Sequence, residues 1–218
     1  MDNILQFDLR LENDIPDIIF PTDNEWGIPL LDYHKQADFL VMPFMCWGSC
    51  KRSTDLNGGT YHFYVDDYRF NALWKYPQAV YYSRCGYAVE PNYTVSLTSP
   101  LAYVEWCVYR KRWLARFWQS KGIRIWVDLN IPTEFQHLTF AGVPREWRAF
   151  MTRGYEERFE ATSLEYQSAI KHHGSDDILF VVYGGGKRVK EDCRRNGWQW
   201  IPEHRDIIKG RYSADGKD

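Results

Sequence analysis

Long apolar runs and a secretion signal are both missing from this sequence. No segment approaches the roughly 20 consecutive apolar residues that a membrane-spanning helix needs. The amino-terminal stretch is acidic, whereas a signal peptide begins with a basic region followed by an apolar one. We therefore expect a cytoplasmic protein with no membrane partner.

Several catalytic and nucleotide-binding motifs are missing as well. No GxGxxG follows the first predicted strand and no P-loop occurs, which argues against a dinucleotide-binding domain and against an NTPase. There is no nucleophile elbow, no Ser-His-Asp order and no HxH metal pair. Hydrolases of those kinds therefore have no support in the sequence.

Cysteines are few and do not pair. There are 5, an odd number, and only Cys46 and Cys50 are close in sequence, within CWGSC. That spacing suits a metal or redox pair, but no second close pair follows it. Buried, reduced thiols are the simpler interpretation, and they fit a reducing cytoplasm.

Aromatic residues are abundant, and charge is unevenly distributed. Of the 218 residues, 17% are Phe, Trp or Tyr, which indicates either a core of large side chains or a platform on which bases stack. The net charge of −2 divides into −6 over residues 1–100 and +4 over residues 101–218. A nearly neutral total can therefore conceal a basic surface.

Short apolar strands alternate with helical segments along the chain. The predicted strands are 37–44, 60–65, 87–95, 123–131, 146–153, 178–183 and 198–204. Continuous apolar strands joined by helices predict an α/β fold with mostly parallel strands, arranged as an abbreviated or distorted (β/α) barrel. An open doubly wound sheet is the alternative. We expect an irregular arm over 1–31, one domain over 32–208 and a polar tail over 209–218.

Carboxylates follow several of these strands. Asp66, Glu90 and Asp128, with Asn130, should meet at the carboxyl edge of a parallel sheet, where such folds place their sites. Together the three carboxylates could hold Mg²⁺ or Mn²⁺ and serve catalysis on a phosphodiester. The alternative is ordinary helix capping. Asp128 lies in an apolar strand and needs a partner, either a cation, a substrate or an arginine such as Arg153.

A basic stripe runs along the long helix predicted at 99–122. Arg112 and Arg116 share one face and Arg110 widens it, interleaved with aromatic residues. This pattern suits a surface that follows the backbone of DNA or RNA. The alternative is a solvated helix face with internal ion pairs.

A glycine-rich turn follows the most apolar strand. Gly184, Gly185 and Gly186 precede Lys187 and Arg188 at the start of a helix. Backbone N–H groups in such a turn, aided by the two cations, can bind a phosphate. The alternative is a flexible turn between strand and helix. Another strand end carries Arg153, which completes the predicted phosphate-binding set.

Three blocks of sequence, in this order, resemble one family. They are GGTYHFYVDDYRFNALWKYP, YRKRWLARFWQSKGIRIWVDLNIP and FVVYGGG. The chain resembles, over about residues 27–186, the domain-of-unknown-function family numbered four-four-one-seven, whose members occur in phages, plasmids and bacterial chromosomes. The family has a Ser-Pro-Asp-aromatic-Ser pattern where this chain has Glu90-Pro91-Asn92-Tyr93-Thr94, so a carboxylate is displaced by two positions.

The resemblance implies a mobile-element protein in a bacterial host cell. With the basic second half and the aromatic content, it favours a protein that binds or acts on DNA or RNA, for example in replication. Two alternatives stay open: a metal-assisted enzyme on a phosphate-bearing substrate, and a non-catalytic module that binds a protein partner.

Overall fold

Seven parallel strands form one sheet in the computed structural model, which describes residue 16 and the ranges 18–48 and 56–213. Each strand pairs with the next one along the chain. The strands are β1 (Phe44–Cys46), β2 (Thr60–His62), β3 (Tyr87–Val89), β4 (Arg124–Asp128), β5 (Ala149–Arg153), β6 (Leu179–Tyr183) and β7 (Gln199–Ile201).

Helices connect most of these strands and cover the outer face of the sheet. Short 3₁₀ turns occur at Tyr33–Lys35, Asp67–Arg69, Asn71–Trp74 and Thr133–Phe135. The α-helices are α1 (Gln78–Tyr82), α2 (Leu101–Ser120), α3 (Gln136–Thr139), α4 (Phe159–His173), α5 (Gly186–Asn196) and α6 (His204–Ile208).

The sheet is curled into a half-barrel. Rings on β1 and β6 approach within 5.7 Å, measured between the centroids of Phe44 and Tyr183. In a flat sheet, strands five places apart would lie about 24 Å apart, at about 4.8 Å per strand. The predicted α/β architecture with a distorted barrel is therefore confirmed. The open doubly wound alternative is wrong, because that topology reverses its strand order at a switch point.

Alternating side chains fill the two faces of the sheet. One set forms the interior of the half-barrel, with rings such as Tyr64, Trp126 and Tyr183. The opposite set packs against the helices in a larger core that includes Trp118 of α2 and Ile125 of β4. Many of the aromatic side chains therefore pack in these two cores, which fits the interpretation of a core built from large residues.

Helix α2 is buried around most of its circumference. One side of the helix, which includes Ala115 and Trp118, is buried in the larger core. A second side is covered by Ile131 and Leu138 from the connection after β4, which pack on Val108. Polar residues on that second side are therefore enclosed as well.

Several predicted segments differ from the structure. The strand expected at 37–44 is formed at Phe44–Cys46, and the strand expected at 60–65 spans only Thr60–His62. The strand expected at 198–204 ends at Ile201, and α6 follows it. In each case the apolar pattern located a buried segment, but local turns decided where the regular element begins.

Four cysteines lie in the described ranges, all of them buried, and none of the four forms a disulfide bond: Cys46, Cys85, Cys107 and Cys193. Cys50 lies outside the described residues, so the suggested pair with Cys46 is not tested. Helices long and apolar enough to cross a membrane are absent from the ranges described.

Candidate site at the carboxyl end of the half-barrel

A buried ion pair joins the end of β3 to α2. Arg112 donates from Nη1 to Glu90 Oε1 at 2.5 Å, and both side chains are fully buried. The guanidinium also donates to the carbonyl oxygens of Ala141 and Thr139. Arg112 therefore has partners on every side.

The prediction that Arg112 belongs to a solvent-facing basic stripe on α2 is wrong, because its side chain is fully buried. The stripe was inferred from spacing, and spacing places Arg112 on the side of α2 that Ile131 and Leu138 cover. Its burial lowers the pKa of the guanidinium, and the neighbouring Glu90 carboxylate opposes that shift. An arginine stays charged under such conditions, so the pair is a buried salt bridge.

Lys111 and Asp128 form a second buried pair beside the first. Lys111 Nζ lies 2.8 Å from the carbonyl oxygen of Asp128, 3.5 Å from its Oδ2 and 4.0 Å from Glu90 Oε2. The hydroxyl of Tyr64 donates to Asp128 Oδ1 at 3.1 Å. The four residues Glu90, Lys111, Arg112 and Asp128 are called the buried charge network below.

The partner of Asp128 was predicted incorrectly. Of the alternatives considered, the arginine Arg153 is not the partner: Lys111 and Tyr64 contact Asp128, and the backbone N–H of Asn130 also donates to its Oδ1 at 3.2 Å. Burial raises the pKa of the Asp128 carboxyl, and the charge of Lys111 opposes that shift. The side chain of Asn130 turns instead to Asn92, with 3.1 Å between Nδ2 and Oδ1.

The structure does not bring together the three carboxylates proposed for Mg²⁺ or Mn²⁺. Glu90 Oε2 accepts from the backbone N–H of Asp128, so these two residues are adjacent. Asp66 is exposed at the start of a 3₁₀ turn and makes no side-chain capping bond. Over the residues that the structure describes, no three His, Cys, Asp or Glu side chains are placed to hold a metal ion.

Arg110 and Arg116 lie on α2 but stack on aromatic rings of the protein itself. The guanidinium carbon of Arg110 is 3.9 Å from the ring centroid of Tyr93, and that of Arg116 is 5.1 Å from the ring of Phe20. Both side chains are half-buried. The basic stripe is therefore divided between an interior residue and two that cover aromatic surface.

The glycine turn after β6 is shaped by close packing. Gly184 has a φ of 79°, and a Cβ there would lie 2.7 Å from Cγ of Glu203. Gly185 also has a φ of 79° and would meet Val189 at 2.5 Å. Helix α5 starts directly afterwards at Gly186, so its amino terminus lies at the carboxyl edge of the sheet.

Both cations after that turn are exposed. Lys187 pairs loosely with Glu191 one helical turn later, at 3.9 Å, and Arg188 is also on the surface. This placement fits the predicted phosphate-binding turn, and it fits equally an ordinary solvated start of a helix.

A cluster of arginines lies at the same edge, where β5 and β7 end. Arg153 and Arg158 hold their guanidinium carbons 5.3 and 5.0 Å from the ring centroid of Tyr155. Glu203 accepts from Arg205 at 2.6 Å and lies 3.8 Å from Arg153. We call Arg153, Arg158 and Arg205 the arginine rim.

The arginine rim carries more positive than negative charge in its direct contacts. The guanidiniums of Arg153 and Arg205 share the Glu203 carboxylate, while Glu156 and Glu157 are exposed on the connection between β5 and α4. Nε of Arg153 is buried without a hydrogen-bond partner. Sequence reasoning missed Arg158 and Arg205, although each follows a predicted strand end by only a few residues.

Beneath the rim, the interior contains titratable rings. The His62 ring lies 4.3 Å from Tyr183 and 4.6 Å from Phe44, measured between centroids. Burial, with Arg153 and His204 nearby, lowers the pKa of His62 to about 3. Burial likewise raises the pKa of Tyr183 to about 12. Near neutral pH both rings are uncharged.

Comparison with known proteins places the chain among phage-related sequences. The sequence profile of a family described as "Domain of unknown function (DUF4417)" matches residues 20–184. "Gene 1 protein" of Mycobacterium phage L5 is 33% identical over 111 residues, which is 49% of this chain and 47% of that protein. "Gene 1 protein" of Mycobacterium phage D29 is 30% identical over 110 residues, 49% of this chain and 40% of that protein.

The aligned region thus spans less than half the length of these curated relatives. No solved structure matches the chain significantly.

Proposed function

The chain belongs to the DUF4417 family, and from that premise we propose that it is a mobile-element protein that binds nucleic acid through its arginine rim. Its setting would be the cytoplasm of a bacterial host cell. The observation that carries the proposal is the cluster of Arg153, Arg158 and Arg205 at the edge where α/β barrels place their ligands.

Guanidinium groups recognise phosphates by paired hydrogen bonds, and Arg153 and Arg158 are held against the ring of Tyr155. The half-buried ring of Tyr155 holds both guanidiniums at one place, where neighbouring phosphates of a nucleic-acid backbone can meet them. Lys187 and Arg188 at the start of α5 extend the positive charge along the same edge of the sheet.

The relatives support the context of the proposal and not its mechanism. They are phage proteins, and the name "Gene 1 protein" states no activity. A role in replication therefore remains a prediction from the mobile-element context. Because the alignment covers less than half of each relative, an activity of the whole relative would also be only a proposal for this chain.

The enzyme alternative loses its main candidates in this structure. Glu90 is paired with Arg112, and Asp128 is held by Lys111, Tyr64 and the backbone of Asn130. These partners favour a structural role for both carboxylates over a role as general base or metal ligand, which needs an oxygen that faces a substrate. Nucleic-acid binding does not require them.

The proposal is tested by fluorescence anisotropy. The probes are labelled single-stranded DNA and RNA of about 20 nucleotides, and the titration starts at about 50 mM salt. We expect saturable binding that weakens steeply as salt is added, because released counterions drive such complexes. Absence of binding to DNA and RNA at the lowest salt would refute the proposal and favour a protein partner instead.

A further inference from the structure

A second concave site lies on the outer layer, away from the arginine rim. Segments around α3 and the last turns of α4 enclose a cleft of about 590 Å³, here called the α3–α4 cleft. This volume lies within the range of about 300–1,000 Å³ that small-molecule sites occupy. None of the rim arginines lines it.

Two cations and one carboxylate line the cleft. Arg145 and Lys171 are exposed at its edge, and among the described residues neither forms an ion pair. Arg145 makes a single long hydrogen bond, 3.5 Å from Nη1 to the carbonyl oxygen of His172. Asp23 is the carboxylate of the lining, and Asn24 already donates to it at 3.0 Å. The two cations are therefore available to an anion.

A flat aromatic wall adjoins these cations. Phe140 and His172 stack with their ring centroids 4.5 Å apart and an angle of 16° between their planes. Nε2 of His172 donates to the carbonyl oxygen of Pro144 at 3.1 Å, which fixes the ring. Burial lowers the pKa of His172, so the stacked pair is uncharged near neutral pH.

A buried amide contributes an unused acceptor. Gln136 lines the cleft and is 6% exposed. Its Nε2 donates to the carbonyl oxygens of Leu129 and Ile131, at 3.1 and 2.9 Å, and this orients the amide. Its Oε1 is buried without a partner. Because that oxygen has no accessible surface, a ligand in the cleft reaches it only after the amide moves.

We propose that the α3–α4 cleft binds a nucleoside monophosphate. Arg145 and Lys171 would contact the phosphate, and the stacked pair of Phe140 and His172 would contact the base. The site is independent of nucleic-acid binding at the arginine rim, because the two share no residues.

Lys171 also lies in the last turn of α4, where a cation stabilises the helix end whether or not a ligand binds. The test must therefore separate folding from binding. Thermal melting of each variant, recorded without ligand, supplies that separation.

Isothermal titration calorimetry with AMP, adenosine and inorganic phosphate tests the cleft. We expect AMP to bind more tightly than either fragment, and Arg145→Gln/Lys171→Gln to weaken AMP by about tenfold or more. Phe140→Leu should weaken AMP and leave phosphate unchanged. The matched control is Lys75→Gln/Lys121→Gln, which neutralises two exposed cations outside both sites and should bind AMP as the native chain does. Arg158→Gln/Arg205→Gln is titrated beside it to detect any AMP that binds at the rim.

Two results would overturn the proposal. One is the absence of AMP binding by a folded native chain. The other is AMP binding that the rim variant abolishes and the cleft variant does not. Neither result depends on whether the protein binds DNA or RNA, so the two proposals fail separately.

Discussion

The buried charge network and the arginine rim lie near the same end of the half-barrel, yet their basic residues have opposite surroundings. Arg112 is fully buried and hydrogen-bonded to Glu90 and two carbonyl oxygens. The side chain of Arg205 is 70% exposed, with Glu203 as its partner. Both arginines lie near the carboxyl end of the sheet, so their place in the fold does not distinguish them. Burial does: the buried arginine stabilises the fold, and the exposed one is available to a ligand.

The physical reason is the cost of removing a charge from water. Leaving a buried ion without its partner destabilises the folded protein by several kcal/mol, whereas an exposed ion pair contributes about 0–1 kcal/mol to its stability. Changes in the buried network should therefore affect stability, and changes in the rim should affect binding. The following predictions test that division, from the largest expected effect to the smallest.

Arg112→Met should have the largest effect. It leaves the fully buried Glu90 carboxylate without its ion pair, and the free energy of unfolding should fall by about 3–5 kcal/mol. Equilibrium denaturation in urea measures this loss. Adding Glu90→Gln to Arg112→Met should recover part of it, because the orphaned charge is then removed. A loss under about 1 kcal/mol for the single change would place Arg112 with the exposed arginines.

Asp128→Asn should destabilise the protein less, by about 2–3 kcal/mol, because the amide still accepts from Tyr64 but no longer neutralises Lys111. The measurement is the same denaturation, repeated with and without Mg²⁺ and Mn²⁺. Stabilisation by metal in the native chain that disappears in Asp128→Asn would contradict the structural role and restore the metal hypothesis.

His62 should make stability depend on pH. Its pKa is 6.5 in the unfolded chain and about 3 in the native one, so between those values the unfolded chain binds the extra proton. Stability from this residue is therefore complete above about pH 6.5 and falls as pH is lowered, by up to about 1.4 kcal/mol per pH unit.

Glu165 and Asp128 act in the opposite direction, since burial raises the pKa of both carboxyls. The contribution of His62 is isolated by subtracting the unfolding free energy of the His62→Gln variant from that of the native chain at each pH. It should decline from about pH 7 to pH 5, and a difference that is constant over this range would show that His62 is not held neutral.

The sequence predicts the architecture well because the architecture depends on repeated patterns. Apolar strands such as 178–183, separated by helices, are enough to indicate a parallel α/β sheet. Individual contacts do not follow from pattern. Arg112 looks like a surface residue by helical spacing, and only the three-dimensional path of the segment containing Ile131 and Leu138 encloses it.

The site was predicted in part for the same reason. Strand ends identified Glu90, Asp128 and Arg153, because parallel strands end at one edge. Their partners come from elsewhere: Lys111 reaches Asp128 from α2, and Arg158 and Arg205 lie in connections whose course no periodicity specifies.

Arg158→Gln/Arg205→Gln should have the smallest effect on stability. Both side chains are exposed, so the free energy of unfolding should change by less than about 1 kcal/mol. Urea denaturation beside Arg112→Met makes the contrast direct. A loss as large as that of Arg112→Met would erase the distinction between rim and network.

The central claim is that the arginine rim binds nucleic acid. The most direct test is the salt dependence of nucleic-acid affinity, measured for the native chain and for the rim variant Arg158→Gln/Arg205→Gln. The control is Lys75→Gln/Lys121→Gln, which neutralises two exposed cations away from the rim. If the rim binds phosphates, the slope of log Kd against log salt should fall by about 1.4 in the rim variant, at about 0.7 per lost contact with a single strand. The control should keep the native slope. A rim variant that retains the native affinity and slope would contradict the account.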